Sequence, residues 1–248
     1  MFVLILDRNL DMTYSEFEYE SIPVGYYDKI FTEGLKINRG LQFSWHYLKF
    51  KTVKEHFPEY STHLDIACGP GTFIGNFLDN KSIGLDISGN QIKYAKNRYS
   101  SLSSHFYLKD MNKEFKEEKT YDVITLLEFI EHLSPEEVNN LLLKCMNKLN
   151  KNGKIIITTP NYRGLWLLIE KIVSFIGPVN YKQQHINRYT KKRIEKEVNF
   201  ENVRVKKYIN FGIFLSFFST NFGLKAHKAV SRIFKDFFGY SLLITIEK

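Results

Sequence analysis

The 248-residue sequence contains only two cysteines, Cys68 and Cys145, which lie far apart along the chain. So few cysteines argue against a disulfide-stabilised scaffold and against a zinc site, and they suit a reducing compartment. No uncharged apolar run reaches the roughly 18 residues expected of a membrane-spanning helix. Internal repeats and low-complexity segments are also lacking. These absences predict a cytoplasmic globular protein, with peripheral contact at a membrane surface left open.

The charge of the chain is basic. Lysine and arginine outnumber aspartate and glutamate by 35 to 27, which gives a formal net charge of +8. A basic excess can favour nucleic acid or an anionic lipid surface. Here the excess is mostly lysine spread along the chain, which favours an ordinary solvated surface. The charge alone therefore predicts no particular partner.

Length and hydrophobic periodicity predict one sizeable α/β domain over residues 41–248, preceded by an N-terminal arm over residues 1–40. Short apolar strands alternate with helices, which predicts βαβ units and a parallel sheet covered on both faces. Two further strands are predicted in the last third of the chain. The predicted strands span residues 63–68, 82–87, 105–108, 121–127, 154–159, 203–208 and 241–246.

Polar residues mark the starts of three predicted helices. Ser134 is followed three residues later by Glu137, and Ser88 stands at the same distance from Gln91. Both pairs have the spacing of a capping box, in which the two residues bond each other's backbone. Thr190 is expected to cap a short basic helix.

A glycine-rich turn joins the first strand to the helix after it. Gly69 and Gly71 follow the strand that contains Asp65, and the helix begins immediately after them. Two glycines allow a sharp turn and a close approach of the backbone to a ligand. The N–H groups at the helix start make the same end electropositive. A ligand is therefore expected here, at the carboxyl ends of the strands.

Such turns also bind dinucleotides, so an NAD(P)-dependent oxidoreductase is a competing prediction. The nicotinamide fingerprint places a third glycine three positions after the second. Ile74 stands there instead, and Gly75 comes one residue late. The acid on the second strand, Asp86, also follows the turn sooner than the roughly 20 residues that the fingerprint expects. A catalytically silent, cofactor-binding subunit is a further alternative.

Five spaced motifs together resemble the class I S-adenosylmethionine-dependent methyltransferases, over roughly residues 40–210 and the terminal strand. The motifs are Asp65-x-x-x-Gly69-x-Gly71, Gly84-Leu85-Asp86-Ile87, Lys109-Asp110-Met111, Tyr121-Asp122-Val123-Ile124 with Glu128-Phe129-Ile130-Glu131-His132-Leu133, and Gly153 with Thr158-Thr159-Pro160-Asn161. The resemblance implies a Rossmann-like, doubly wound sheet of seven strands, mostly parallel with an antiparallel last strand. It also implies an enzyme that transfers a methyl group from S-adenosylmethionine.

The resemblance implies a cofactor site at the strand ends. Ala67, Gly69 and Gly71 would flank the methionine part of the cofactor, and Asp65 would hold the loop and the ammonium group. Asp86 would accept hydrogen bonds from both ribose hydroxyls, a task that two carboxylate oxygens suit.

Further residues are implied for the adenine and sulfonium ends of the cofactor. Asp110 would meet the adenine amino group, and Ile87 and Met111 would sandwich the ring. Glu128 would lie beside the sulfonium. The alternative for the two strand-end aspartates, Asp86 and Asp110, is a local role as helix caps or turn residues.

The predicted catalytic residues are Glu131, His132 and His185. An oxygen acceptor must lose its proton during an in-line methyl transfer, and histidine titrates near neutrality. The resemblance to small-molecule and quinone-precursor O-methyltransferases implies an oxygen acceptor that is small or lipid-linked. Alternatively, Glu131 and His132 tie the loop after strand four to the next helix, and His185 bonds to backbone. No metal ion is predicted.

Methylation of nucleic-acid bases is not predicted. Enzymes that methylate exocyclic amino groups usually carry an Asn- or Asp-Pro-Pro-aromatic motif after strand four. Residues 127–130 of this chain read Leu-Glu-Phe-Ile instead. The acceptor is therefore expected among smaller molecules or lipids.

An aromatic insertion over residues 211–238 bears on the acceptor. Phenylalanines over residues 211–218 precede a basic amphipathic stretch that contains Lys225, Lys228 and Arg232. The pattern suits a helix that lies in an anionic membrane surface, a lid packed on the sheet, or a dimer interface. It motivates the hypothesis of a hydrophobic or lipid-linked acceptor. The motifs predict neither the acceptor's identity nor the oligomeric state.

Overall fold

A computed structural model describes residues 22–59, 61–111, 119–163, 166–167, 169–171, 185–198, 200–235 and 237–248. Residues 1–21 of the predicted arm lie outside the described residues. The apolar pattern over residues 165–176 predicts an amphipathic helix. Of these residues, 166–167 and 169–171 are described, and they are helical.

Strands and helices alternate as the sequence predicts. The strands are β1 (His63–Ile66), β2 (Ser82–Asp86), β3 (Ser104–Leu108), β4 (Tyr121–Leu127), β5 (Leu149–Pro160), β6 (Val203–Tyr208) and β7 (Ser241–Glu247). The α-helices are α1 (Tyr26–Ile37), α2 (Leu41–Lys54), α3 (Thr72–Phe77), α4 (Gly89–Tyr99), α5 (Pro135–Asn147), α6 (Lys191–Glu197) and α7 (Thr220–Phe234). Short 3₁₀ helices span Ile130–His132 and Phe211–Phe217.

The seven strands form one sheet in the order β3-β2-β1-β4-β5-β7-β6. Strands β1 to β5 are parallel, and β7 runs antiparallel to both β5 and β6. The predicted Rossmann-like, mostly parallel sheet is therefore confirmed. Strand order reverses between β1 and β4, and ligands of such sheets bind outside the carboxyl ends of the strands at that point.

Each face of the sheet carries a hydrophobic cluster. One cluster packs α5 and α6 against the sheet through residues such as Leu64, Leu126 and Leu142. The other is rich in phenylalanine, and in it Phe31 of α1 meets Phe43 with ring centroids 5.3 Å apart. Helix α1, which belongs to the predicted arm, is therefore packed against the predicted domain.

Two of the three predicted helix starts have the expected caps. Ser134 forms a capping box with Glu137, and Thr190 accepts a hydrogen bond from the Arg193 N–H. Ser88 accepts from the N–H of Gln91, but the predicted capping box is wrong there. The Gln91 Oε1 instead accepts from the Gly25 N–H at 3.1 Å. This hydrogen bond to the N-terminal segment replaces the one that Gln91 would form with the Ser88 backbone in a capping box.

Two other features of the described residues bear on the predictions. Strand β5 begins before the predicted start at residue 154, because Leu149 pairs with Tyr121 ahead of a register shift. Among the residues that the structure describes, no helix combines the length and apolar character needed to cross a bilayer.

Candidate functional site

A cavity of about 550 Å³ opens at the carboxyl ends of β1 and β4. The turn after β1 and the loop after β4 line one side of it. Helices α1 and α2 contribute aromatic side chains, among them Tyr26 and Trp45. The Trp45 ring lies against that of Trp166, with centroids 5.4 Å apart. The cavity therefore joins the glycine-rich turn to an aromatic wall.

The two glycines of the turn have different roles. Both have left-handed φ angles, +53° at Gly69 and +76° at Gly71. A Cβ at Gly69, which lines the cavity, would meet no atom of the described residues within 4 Å. A Cβ at Gly71 would lie 2.7 Å from the Phe106 ring and 3.1 Å from the Ala95 Cβ. Gly69 thus keeps the cavity wall open, whereas Gly71 makes room for packing behind it.

Alanine at each glycine should separate these roles. Gly71→Ala is expected to lower the free energy of unfolding by about 1–3 kcal/mol more than Gly69→Ala, because only the former overpacks the Phe106 contact. Both variants share the cost of a left-handed alanine, about 1–2 kcal/mol. Denaturant titration of the two purified variants measures the difference. Equal losses of stability would contradict the assignment.

Asp86 ties the end of β2 to the glycine-rich turn. Its Oδ2 accepts from the Gly69 N–H at 2.7 Å, and its Oδ1 accepts from the Ser88 N–H at 2.8 Å. The residue also lines the cavity, as does Ala67, whose φ is +59°. Such left-handed strain in a non-glycine residue costs about 1–2 kcal/mol and concentrates at functional sites.

Asp65 begins a buried chain of side-chain hydrogen bonds. The Thr125 hydroxyl donates to the Asp65 Oδ1 at 2.5 Å, and the Nε2 of His63 lies 2.8 Å from that hydroxyl oxygen. Because the only hydroxyl hydrogen of Thr125 goes to Asp65, His63 donates from Nε2. Burial lowers the pKa of His63 to about 3, so its ring is neutral. Burial also raises the pKa of Asp65 to about 7.

The raised pKa of Asp65 makes stability depend on pH. Since the folded chain holds this proton more tightly than the unfolded chain, stability should fall as pH rises from about 4 to about 7 and then level off. Asp65→Asn removes that titration and keeps an acceptor for Thr125. Thermal unfolding should show the variant gaining on the wild type at pH 8 relative to pH 5, by at most about 3 kcal/mol. A gain in stability that is equal at both pH values would contradict the raised pKa of Asp65.

A buried lysine lies among the carboxyl groups of the cavity. Burial lowers the pKa of Lys49, and the charges of Glu128, Glu131 and Asp65 oppose that lowering. Glu131 is fully buried, and its Oε2 accepts from the Thr159 hydroxyl at 2.9 Å. Burial, and then the charge of Glu128, raise the pKa of Glu131 well above its usual value. Glu131 therefore holds its proton more tightly than a solvent-exposed glutamate does.

Glu128 occupies a strained position at the end of β4. Its φ is +55°, and its N–H donates to the backbone oxygen of Thr158 at 2.9 Å. Its Oε1 is buried and has no hydrogen-bond partner among the described residues, and the same holds for the Oε1 of Glu131. These two oxygens can accept hydrogen bonds from a bound ligand.

A histidine and a glutamate that line the cavity meet a tyrosine. The Nδ1 of His185 lies 3.0 Å from the Glu170 Oε1, and the Tyr162 hydroxyl donates to the same oxygen at 2.5 Å. Tyr162 also contacts His185 Nδ1 directly. Burial would raise the pKa of Glu170, but these hydrogen bonds hold it below its usual value. The His132 ring stands edge-on to that of His185, with centroids 5.0 Å apart.

Glu131, His132 and His185 each place one potential metal ligand within 4.8 Å of the other two. These three side chains could therefore bind a metal ion. That the protein uses no metal remains a prediction. His185 already holds Glu170 and Tyr162 through Nδ1, so an ion would take its other nitrogen. That nitrogen is also the one a proton-transfer role requires.

The cavity brings together most of the predicted site residues. Those that line it are Asp65, Ala67, Gly69, Asp86, Glu128, Glu131, His132 and His185. Gly71, Ile87, Asp110 and Met111 lie outside the lining, and Met111 packs in the cluster with Leu85. The predicted adenine contacts therefore remain predictions.

Sequence reasoning missed Lys49, Tyr162 and Glu170. Lys49 stands within a helix whose neighbours are hydrophobic, so the sequence gives no signal that its charge is buried. Tyr162 follows the Pro160-Asn161 motif, and Glu170 falls on a predicted amphipathic helix as an ordinary polar residue. The contacts of Tyr162 and Glu170 with His185, and the carboxyl groups around Lys49, reveal their part in the site.

Comparison with known proteins agrees with this geometry. A family described as a methyltransferase domain matches residues 64–155. Phosphoethanolamine N-methyltransferase of Plasmodium falciparum is 30% identical over 161 residues, which cover 62% of this chain and 59% of that protein. A ubiquinone biosynthesis O-methyltransferase of Rickettsia bellii is 28% identical over 120 residues, 44% of this chain and 47% of that protein. The chain spans less than two thirds of the length of these curated relatives.

Solved structures share the fold. A SAM-dependent methyltransferase from Archaeoglobus fulgidus has a TM-score of 0.58 at 21% identity, covering 81% of this chain and 92% of that one. The plantazolicin methyltransferase BpumL in complex with SAH has a TM-score of 0.56 at 21% identity, covering 94% and 93%.

The sheet order, the glycine-rich turn and the strand-end acids define a Rossmann-like methyltransferase architecture. Residues 64–155 match the methyltransferase domain family, and with these relatives the chain is similar to the class I S-adenosylmethionine-dependent methyltransferases. This assignment favours the methyltransferase over the oxidoreductase alternative.

Proposed function

We propose that the protein transfers the methyl group of S-adenosylmethionine to an oxygen atom of a small or lipid-linked acceptor. The observation that carries the oxygen assignment is the contact of His185 with Glu170 and Tyr162, in the same cavity as Gly69 and Asp86. An oxygen nucleophile must lose a proton, and a histidine held by a carboxylate is suited to accept it.

The residues at the strand ends fit the cofactor. Gly69 leaves open space at the cavity wall, and Asp86 presents a carboxylate beside it. Asp65 can hold the cofactor's ammonium, and Glu128 has a buried oxygen available for the same positively charged molecule. When bound, S-adenosylmethionine supplies an electrophilic methyl group on a positively charged sulfur. Carboxylates in a low-dielectric cavity attract such a cation strongly.

The hydrogen bonds of His185 define which of its nitrogens is basic. The single hydroxyl hydrogen of Tyr162 goes to Glu170, and an ionised carboxylate only accepts. Nδ1 of His185 must therefore carry the hydrogen in its contacts with Glu170 and Tyr162, which leaves Nε2 as the basic nitrogen. His185 is the base of the proposed reaction, and Glu170 is a positioning residue.

A cationic amine is the second candidate acceptor. The cavity lining combines the carboxyl groups of Glu128 and Glu131 with the indole rings of Trp45 and Trp166. Aromatic faces and carboxylates both attract ammonium groups. One relative is named as an N-methyltransferase of phosphoethanolamine, which adds support to this candidate.

Incubation with methyl-labelled S-adenosylmethionine tests the proposal. The acceptor panel contains catechols and other phenols with short and long alkyl tails, together with ethanolamine-type amines. Label transfer to a phenolic oxygen, unaffected by EDTA, is expected. Transfer to amines alone would replace oxygen by nitrogen as the target. Binding of the cofactor without transfer to either class would favour the catalytically silent subunit.

A further inference from the structure

The 3₁₀ segment Phe211–Phe217 and helix α7 present an exposed aromatic surface. Phe217, Phe218, Ile233 and Phe237 are each 72–73% exposed, although burial of such side chains is a main source of folding energy. Phe222 is also more than half exposed. Contiguous exposed apolar patches of this kind mark interaction sites. We call residues 211–235 and 237–238 the aromatic face.

Helix α7 arranges apolar and basic residues in adjacent rows. Phe222, Ala226, Ala229 and Ile233 recur at spacings of four, three and four residues, so they share one side of the helix. Lys225, Lys228 and Arg232 follow the neighbouring row and are exposed. The buried residues Thr220 and Gly223 lie on a different side, which packs on the protein. The helix therefore exposes both an apolar stripe and a basic stripe.

The charge of this segment is predominantly basic. Between residues 202 and 235 the sequence contains seven lysines and arginines and neither aspartate nor glutamate. A second copy of the chain would bring the same basic stripe against its own, which opposes self-association. An anionic lipid surface instead complements both stripes, since lipid headgroups meet the cations and acyl chains meet the phenylalanines.

The aromatic face is continuous with the mouth of the cavity. Phe214 lines the cavity and is 38% exposed, so one side chain belongs to both surfaces. Leu41, Trp45 and Trp166 also contribute apolar side chains to the lining. A ligand with an apolar tail could pass from the aromatic face to the cavity along these side chains without crossing water.

We propose that the aromatic face docks on an anionic lipid bilayer and turns the cavity mouth toward it, so that the acceptor is an amphiphile drawn from the membrane. Docking itself stands on the exposed face and its charge. The statement about the acceptor rests on the proposed methyl transfer.

Vesicle flotation of the full chain tests the docking. The vesicles contain phosphatidylcholine with or without about one third phosphatidylglycerol, which supplies the anionic surface that basic side chains require. The wild type should float with the anionic vesicles and at least tenfold less with phosphatidylcholine alone. Phe217→Ser with Phe218→Ser, and separately Lys225→Glu with Lys228→Glu, should each lower binding at least tenfold. Matched controls are Leu102→Ser and Lys93→Glu with Lys151→Glu, which alter exposed residues elsewhere.

The two tryptophans of the chain report the orientation, because Trp45 and Trp166 both line the cavity. Anionic vesicles with brominated acyl chains should quench their fluorescence in the wild type and in the controls. Flotation without quenching would overturn the orientation, and controls as impaired as the face variants would overturn the docking site. A dimer that only the face variants dissociate, seen by sedimentation velocity without vesicles, would reassign the face to a second copy.

Calorimetric titration with S-adenosylhomocysteine on the same preparations separates the two proposals. Vesicle binding without cofactor binding would refute the methyl transfer and leave the docking in place. Cofactor binding without vesicle binding would refute the docking alone.

Discussion

Replacing His185 by glutamine should lower kcat for methyl transfer by about 10²–10⁴-fold, the range of a lost general base. Glutamine keeps a hydrogen-bonding side chain at the position next to Glu170 and Tyr162 but cannot take up a proton. The affinity for S-adenosylhomocysteine should stay unchanged, because the proposed reaction assigns His185 to the acceptor and not to the cofactor. Steady-state kinetics with the phenolic acceptor identified by label transfer, combined with calorimetry, measures both quantities.

Two further variants sharpen this prediction. His105→Gln makes the same substitution at an exposed residue of β3 and should leave kcat unchanged. Glu170→Gln should lower kcat by a smaller factor with little change in KM for the cofactor, because Glu170 acts only through His185. Full activity in His185→Gln would remove this residue from the reaction. If KM and the stability of His185→Gln were impaired as much as kcat, His185 would have a purely structural role.

Replacing Asp86 by alanine should weaken S-adenosylhomocysteine binding by about 100-fold or more. Two hydrogen bonds to a charged acceptor are each worth about 1.5–3 kcal/mol, and 1.4 kcal/mol corresponds to a factor of ten. Part of the loss comes through Gly69, whose N–H would lose its acceptor and with it the shape of the turn. Calorimetric titration measures the change in Kd.

The controls for Asp86 separate binding from folding. Asp79→Ala makes the same substitution at an exposed residue outside the cavity and should bind as the wild type does. Asp86→Asn keeps one acceptor oxygen, and its affinity for S-adenosylhomocysteine should lie between the affinities of Asp86→Ala and the wild type. Unfolding temperatures of all three identify any general loss of structure. Wild-type affinity in a folded Asp86→Ala variant would exclude Asp86 from the cofactor site.

The fold could be predicted because its signals are local in the sequence. The strand-turn-helix at Gly69, the cap at Ser134 and the alternation of apolar segments each lie within a few residues. The count of seven strands and the antiparallel last strand came from the resemblance, and the strand order was not predicted, since nothing local specifies that β7 lies between β5 and β6.

The site was only partly predictable because its contacts span the chain. Gln91 has the spacing of a capping-box residue, yet its side chain accepts a hydrogen bond from the N–H of Gly25 in the N-terminal segment. Glu170 lies fifteen residues from His185, across a segment with no sequence signal for their contact. The difference between Gly69 and Gly71 depends on where Phe106 packs. Tertiary packing decides each of these features, and a single sequence does not encode it in any local pattern.

Calorimetric titration of the wild-type protein with S-adenosylmethionine, S-adenosylhomocysteine, NAD and NADP tests the proposed cofactor most directly. We expect both sulfur ligands to bind at one site per chain and the two dinucleotides to give no heat of binding. Tight binding of NAD or NADP, with no response to either sulfur ligand, would contradict the proposed methyl transfer.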